Sequence, residues 1–69
     1  MLVKFIEVGR NKLTWVAKCN GVLTDKWLYF QARAALMSRD IEFGETGEIY
    51  AGMRNVGRFE IIEGEITNG

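Results

Sequence analysis

The sequence predicts a small α+β domain in which one helix packs against a mainly antiparallel sheet. Three observations lead to this prediction. Residues 13–19 alternate between apolar and polar side chains, as in a strand with one buried face. Residues 25–39 contain neither Gly nor Pro and are rich in Ala and Leu, which favours a helix. Beyond residue 40, Gly recurs between short runs of β-forming residues, which is typical of strands joined by turns.

The first two strands form a predicted hairpin. Residues 2–8 give the first strand, and residues 9–12 give its turn, because Gly9 and Asn11 tolerate positive φ. The second strand covers residues 13–19. It ends at the Asn-Gly pair that follows, which is a typical turn sequence.

The helix has a recognisable start. Thr24 is the expected N-cap, and Asp25 in the first turn suits the positive end of the helix dipole. Leu23 and Leu28 occupy the two positions of a hydrophobic staple. The helix is expected to run to Arg39, whose positive charge suits the other end of the dipole.

Short β runs follow the helix at residues 41–43, 48–53 and 58–63. Asn55 and Gly57 are expected to form the turn of a second hairpin. The predicted order is therefore ββαββ, with residues 41–43 as the option of a short fifth strand.

Two features of the later chain complete the predicted organisation. Gly52 is expected to mark a bulge or a close backbone contact. One domain is expected over residues 1–64, and the small polar residues 65–69 are expected to fray.

The composition excludes several function classes. The 69 residues include nine Lys or Arg, nine Asp or Glu, no His and a single Cys. These counts argue against a disulfide framework within the chain, a Cys/His zinc site and His-based catalysis. Cys19 falls in the apolar register of the second strand, where a Cys is usually inert packing. We therefore expect no enzymatic activity, no cofactor and no bound metal.

The chain has no predicted membrane segment, because no stretch approaches the roughly 20 apolar residues that span a bilayer. The lone Cys and the absence of a signal-peptide pattern lead us to expect a cytoplasmic protein.

The predicted helix carries two apolar stripes, although one suffices to cover one face of a sheet. The first comprises Trp27, Phe30, Ala34 and Met37, and the second comprises Leu28, Ala32, Ala35 and Leu36. The staple favours turning the second stripe towards the sheet, which leaves the first at the surface. The alternative is that the bulky first stripe is itself the core.

Charge is distributed unevenly along the chain. Residues 1–39 carry seven basic and two acidic side chains, whereas residues 40–69 carry two basic and seven acidic ones. We expect strands from the two halves to interleave, so that these charges pair across strands. Otherwise one edge of the sheet is basic and another is acidic, the basic edge carrying Arg10, Lys12 and Lys18.

The leading functional hypothesis is a non-enzymatic protein-binding module that acts by occluding a partner. Its anchors are Trp27, Phe30 and Met37, and its charged rim consists of Lys26 and Arg33. Small phage-type inhibitors of host factors, such as anti-CRISPR and antitoxin-like proteins, are comparable in size and layout, and in nothing more. A homodimer formed through the helix is the simplest interface of this kind.

Two other functions stay open. One is a nucleic-acid-binding domain, with Tyr50 available to stack on bases. Its footprint would be the basic residues of the two hairpins, Lys4, Arg10, Lys12, Lys18, Arg54 and Arg58. The sequence pI of about 6.2 argues against this function, because such domains usually have a pI above about 9. The other is a small structural subunit of a larger assembly, which would expose the same apolar surface.

Overall fold

The computed structural model describes residues 1–63. One helix packs on one face of a five-stranded antiparallel sheet with the strand order β2-β1-β5-β4-β3. The elements are β1 (Leu2–Val8), β2 (Leu13–Lys18), α1 (Asp25–Leu36), β3 (Ile41–Phe43), β4 (Glu48–Ala51) and β5 (Arg54–Glu63). The predicted α+β fold is confirmed, and the optional extra strand is present as β3. Residue 64 and the predicted frayed tail, residues 65–69, lie outside the described residues.

Phe5, on β1, is the centre of the core. It is fully buried and lies opposite Trp15 on β2 and Phe59 on β5. Its ring stacks on Trp15 at 4.7 Å between centroids, and the rings of Phe59 and Trp27 both lie at 6.1 Å. Burial of each large side chain stabilises the fold by about 1.5–3 kcal/mol. The other buried apolar residues are Val3, Val8, Cys19, Leu28, Ala32 and Ile49.

The start of α1 agrees with the sequence prediction, and its end does not. The hydroxyl of Thr24 accepts a hydrogen bond from the backbone N–H of Trp27 at 3.2 Å, as an N-cap does. The helix ends at Leu36 because Met37 adopts a left-handed conformation, with φ 55° and ψ 37°. The backbone N–H of Met37 donates to the carbonyl of Arg33 at 2.7 Å, which closes the last turn.

The turn of the second hairpin lies earlier than predicted. Gly52 and Met53 form it, both with positive φ, whereas Asn55 and Gly57 lie inside β5. The side-chain oxygen of Asn55 accepts a hydrogen bond from the N–H of Gly57 at 3.3 Å, so this pair shapes the strand locally. Gly52, predicted at a bulge or a close backbone contact, lies in the turn with no atom within 4 Å of an added Cβ. A close contact occurs at Gly57, where an added Cβ would lie 2.8 Å from the Cα of Val8.

The expected interleaving of the two halves of the chain is wrong. The strand order keeps β1 and β2, from the basic half, on one side and the three later strands on the other. Lys4 lies opposite Glu60 where the two halves meet, between β1 and β5. Away from that pairing, the β2 side carries Lys12 and Lys18, and the β3 side carries Glu42. The halves stay apart because the β1–β2 hairpin and the β4–β5 hairpin meet through the pairing of β1 with β5. In the sheet of residues 1–63, no strand of one half is inserted between strands of the other.

Candidate functional site

The face of α1 that points away from the sheet is here called the outer face. It carries Phe30, Ala34 and, just beyond the end of the helix, Met37. Leu28 and Ala32 are buried against the sheet, so the side chains half a turn away point to solvent. Phe30 is 65% exposed and Met37 is 88% exposed. Ala34 lies between them and is also exposed. The orientation of the helix is the one that the staple favours, and Leu23 packs against the core that contains Leu28.

Trp27 differs from the other two predicted anchors. It is half-buried and packs against the core, with its ring 6.1 Å from that of Phe5. Trp27 therefore belongs partly to the core, and Phe30 and Met37 are the exposed large apolar side chains of the outer face.

Positively charged side chains border this apolar surface. Lys26 and Arg33, predicted as its rim, are exposed and lie within one helical turn of Phe30. Arg39, beyond the end of the helix, adds a third positive charge and was not among the predicted site residues. The sequence predicts Arg39 in the last turn of the helix, but the helix ends at Leu36, so Arg39 lies in the segment that follows.

An open groove of about 440 Å³ is lined by six residues from the last part of α1 and the segment after it. Phe30, Ala34 and Met37 provide its apolar lining, and Arg33, Ser38 and Arg39 provide its polar lining. The groove is apolar along its length and basic at its border. Such a surface can hold an apolar side chain of a partner while the arginines contact carboxylates.

A second concave surface brings together four of the six basic residues predicted for nucleic-acid binding. Arg10 and Lys12 come from the β1–β2 hairpin, and Arg54 and Arg58 come from β5. They border one open concavity of about 580 Å³, whose lining also includes Glu7 and Glu48. We refer to it as the hairpin concavity.

The other two basic residues of that predicted footprint lie elsewhere. Lys4 is in the middle of β1, between Val16 on β2 and Glu60 on β5. Lys18 is at the far end of β2, opposite Leu2. Neither lines the hairpin concavity.

A hydrogen bond lowers the pKa of the Glu48 carboxyl. The hydroxyl of Thr46 donates to that carboxylate, which lowers its pKa below the ordinary value of 4.5. Backbone hydrogen bonding acts in the same direction. In the register of β4 and β5, Glu48 lies opposite Arg58.

The single cysteine lies in the core and lines neither concave surface. Cys19 is 1% exposed and belongs to the core. Within residues 1–63, no three Cys, Asp or Glu side chains come together as metal ligands. In the same part of the chain, no helix has the length and apolar character needed to cross a bilayer.

Comparison with known proteins gives no further guidance. No protein-family model, no curated protein and no solved structure matches this chain significantly.

Proposed function

We propose that the chain is a non-enzymatic protein-binding module that occludes a partner through the outer face of α1. The observation that carries this proposal is the exposure of Phe30 and Met37, which line one groove, although the helix already covers its sheet with other residues. Exposed aromatic and Met side chains are enriched at the centres of protein interfaces. A contiguous apolar patch of this kind on a small protein usually marks a contact surface.

The chemistry of the groove restricts the partner. Arg33 and Arg39 line the groove beside its apolar side chains, and Lys26 lies one helical turn before Phe30. These cations favour an acidic surface. We therefore propose a partner segment that presents one or two apolar side chains flanked by carboxylates. An amphipathic helix with an acidic border would fit, since such helices commonly dock into apolar grooves.

Occlusion is the mode of action that a domain of this size favours. Its concave surfaces are open to solvent, which suits covering a partner's surface better than enclosing a substrate. We propose a cytoplasmic phage-type inhibitor of a host factor as the specific form, by analogy of size and layout. A homodimer through α1 is the competing use of the same face.

The experiment compares two matched variants in a binding assay. Met37 and Met53 are both highly exposed and both have positive φ, but Met53 does not line the groove. Met37→Gly and Met53→Gly therefore make the same chemical change in the same backbone conformation. Each variant is used for affinity capture from host extract, and the captured protein is then titrated against each variant.

We expect the captured partner to bind Met37→Gly about tenfold more weakly than wild type, as loss of an interface anchor does. We expect Phe30→Ser to have a similar effect and Met53→Gly to have none. Light scattering on the purified chain tests the homodimer, which would dissociate in Met37→Gly. If the partner binds all variants equally, it does not use this face and the proposal is wrong.

A further inference from the structure

The hairpin concavity lies on the opposite side of the sheet from α1. Ile6 follows the buried Phe5 in β1 and pairs with Arg58 on β5, and Arg58 pairs in turn with Glu48 on β4. Because side chains alternate along a strand, these residues point away from the helix. The concavity is therefore separate from the surface proposed for protein binding, and its function does not depend on that proposal.

The topology explains why basic residues that are distant in sequence meet here. β1 and β5 are antiparallel, so the end of β1 lies beside the start of β5. The N–H of Gly9 donates to the carbonyl of Val56 at 2.9 Å, and the N–H of Lys12 donates to the carbonyl of Gly9 at 3.1 Å. The first bond connects the two hairpins, and the second closes the turn between β1 and β2. The backbone positions of Arg10, Lys12, Arg54 and Arg58 are thus fixed relative to one another.

The balance of charge in the concavity is positive. Four exposed cations face two carboxylates, those of Glu7 and Glu48. Glu48 accepts a hydrogen bond from the hydroxyl of Thr46 and is the strand partner of Arg58. Glu7 is the other acidic residue of the lining. The excess of cations favours an anionic ligand.

We propose that the hairpin concavity binds the phosphate backbone of single-stranded nucleic acid. The cations are exposed and come from two hairpins, an arrangement that suits several consecutive phosphates better than one small enclosed anion. Tyr50 is half-buried and is the strand partner of Asn55, which lines the concavity, although Tyr50 itself does not line it. We expect a base held beside the concavity to stack on its ring.

The salt dependence of binding tests this proposal. The probe is a fluorescein-labelled oligothymidylate of about 12 nucleotides, a length in the range that such surfaces cover. Anisotropy titrations run from about 50 to 300 mM salt, because each phosphate contact adds about −0.7 to the slope of log K against log salt. Four contacts predict a slope of roughly −3 for the wild-type chain.

The variants separate the cations of the concavity from other cations. Arg54→Gln and Arg10→Gln are each expected to weaken the slope by about 0.7, and Arg54→Lys is expected to preserve it. Lys18→Gln is the matched control, because Lys18 is exposed but lies at the far end of β2. It is expected to leave the slope unchanged. Tyr50→Ala is expected to lower affinity at every salt concentration without changing the slope.

Three results would overturn the proposal. The first is an absence of binding at about 50 mM salt, where phosphate contacts are strong. The second is an equal change of slope in Arg54→Gln and Lys18→Gln, which would indicate diffuse attraction. The third is tighter binding of a duplex than of the single strand of the same length, which would exclude single-stranded nucleic acid as the preferred ligand. Far-UV circular dichroism on each variant establishes that loss of binding is not loss of fold.

Discussion

Gly57 and Val8 approach each other more closely than two residues with side chains can. A Cβ on Gly57 would lie 2.8 Å from the Cα and 2.9 Å from a methyl group of Val8. Val8 is fully buried at the end of β1, and the backbone N–H of its neighbour Gly9 donates a hydrogen bond to the carbonyl of Val56. This contact sets the spacing between β1 and β5, and hence between the two hairpins that border the concavity.

Gly57→Ala is expected to destabilise the domain by about 1–3 kcal/mol, as overpacking of a core does. Gly52→Ala is the control, because Gly52 also has positive φ but has no atom within 4 Å of an added Cβ. It is expected to cost only the backbone strain, about 1 kcal/mol. Urea denaturation followed by circular dichroism measures both losses. Equal losses would mean that the strands move apart around Gly57 without cost.

The fold could be predicted from local signals because those signals have direct physical causes. Thr24 caps α1 as predicted, and the alternation that begins at Leu13 identifies β2. The second hairpin could not be located in this way. Asn55 and Gly57 have the side chains that turns favour, but their role depends on contact with Val8, which is distant in sequence. Local pattern alone does not distinguish a turn glycine from a close-contact glycine.

The central aromatic cluster is expected to depend more on Phe5 than on Phe43. Phe5 lies within 6.1 Å of three aromatic rings, whereas Phe43 contacts the ring of Phe59 edge-on at 6.0 Å. Each aromatic pair contributes about 0.5–1.5 kcal/mol beyond its buried area. Phe5→Leu should therefore cost at least about 1 kcal/mol more than Phe43→Leu. Denaturation midpoints of the two variants check this, and similar losses would contradict it.

Met37 is expected to be a site where substitution increases stability. Its left-handed conformation is unfavourable for a residue with a side chain and is readily adopted by Gly. Met37→Gly should therefore raise stability by about 0.5–1 kcal/mol, which is several degrees in Tm for a domain of this size. Met37→Ala retains the strain and should show no such gain. A lower Tm for Met37→Gly would mean that the exposed Met side chain makes a stabilising contact.

Met37 also lines the groove on the outer face of α1, so its effects on folding and on binding can be compared. A residue that is both strained and 88% exposed contributes little to the stability of the isolated domain. Met37→Gly would then separate folding from binding, since stability rises while affinity for the partner falls. The sequence could place Met37 on the same stripe as Phe30, but not end the helix there. That ending depends on the hydrogen bond to Arg33 and on the turn into β3.

The basic residues of the hairpin concavity could also be predicted only in part. The sequence identified Arg10, Lys12, Arg54 and Arg58 as candidates from the predicted hairpins. It could not separate them from Lys4 and Lys18, because that separation depends on the strand order. β1 pairs with β5, which is distant from it in sequence, and no local pattern encodes such a pairing.

Glu48 is expected to show a pKa that depends on one hydroxyl group. The hydrogen bond from Thr46 lowers the pKa of Glu48 in the folded chain below the ordinary 4.5. The bond therefore stabilises the fold above about pH 4.5, and this contribution is lost as the pH falls through the lowered pKa. Thr46→Val should raise the pKa of Glu48 towards 4.5, whereas Thr46→Ser, which keeps the hydroxyl, should not. Titration of the Glu48 side-chain carboxyl by carbon NMR measures the change. The free energy of unfolding of wild type should exceed that of Thr46→Val above about pH 4.5, and this difference should shrink at lower pH. A difference that stays constant with pH would show that the hydroxyl does not act through the charge of Glu48.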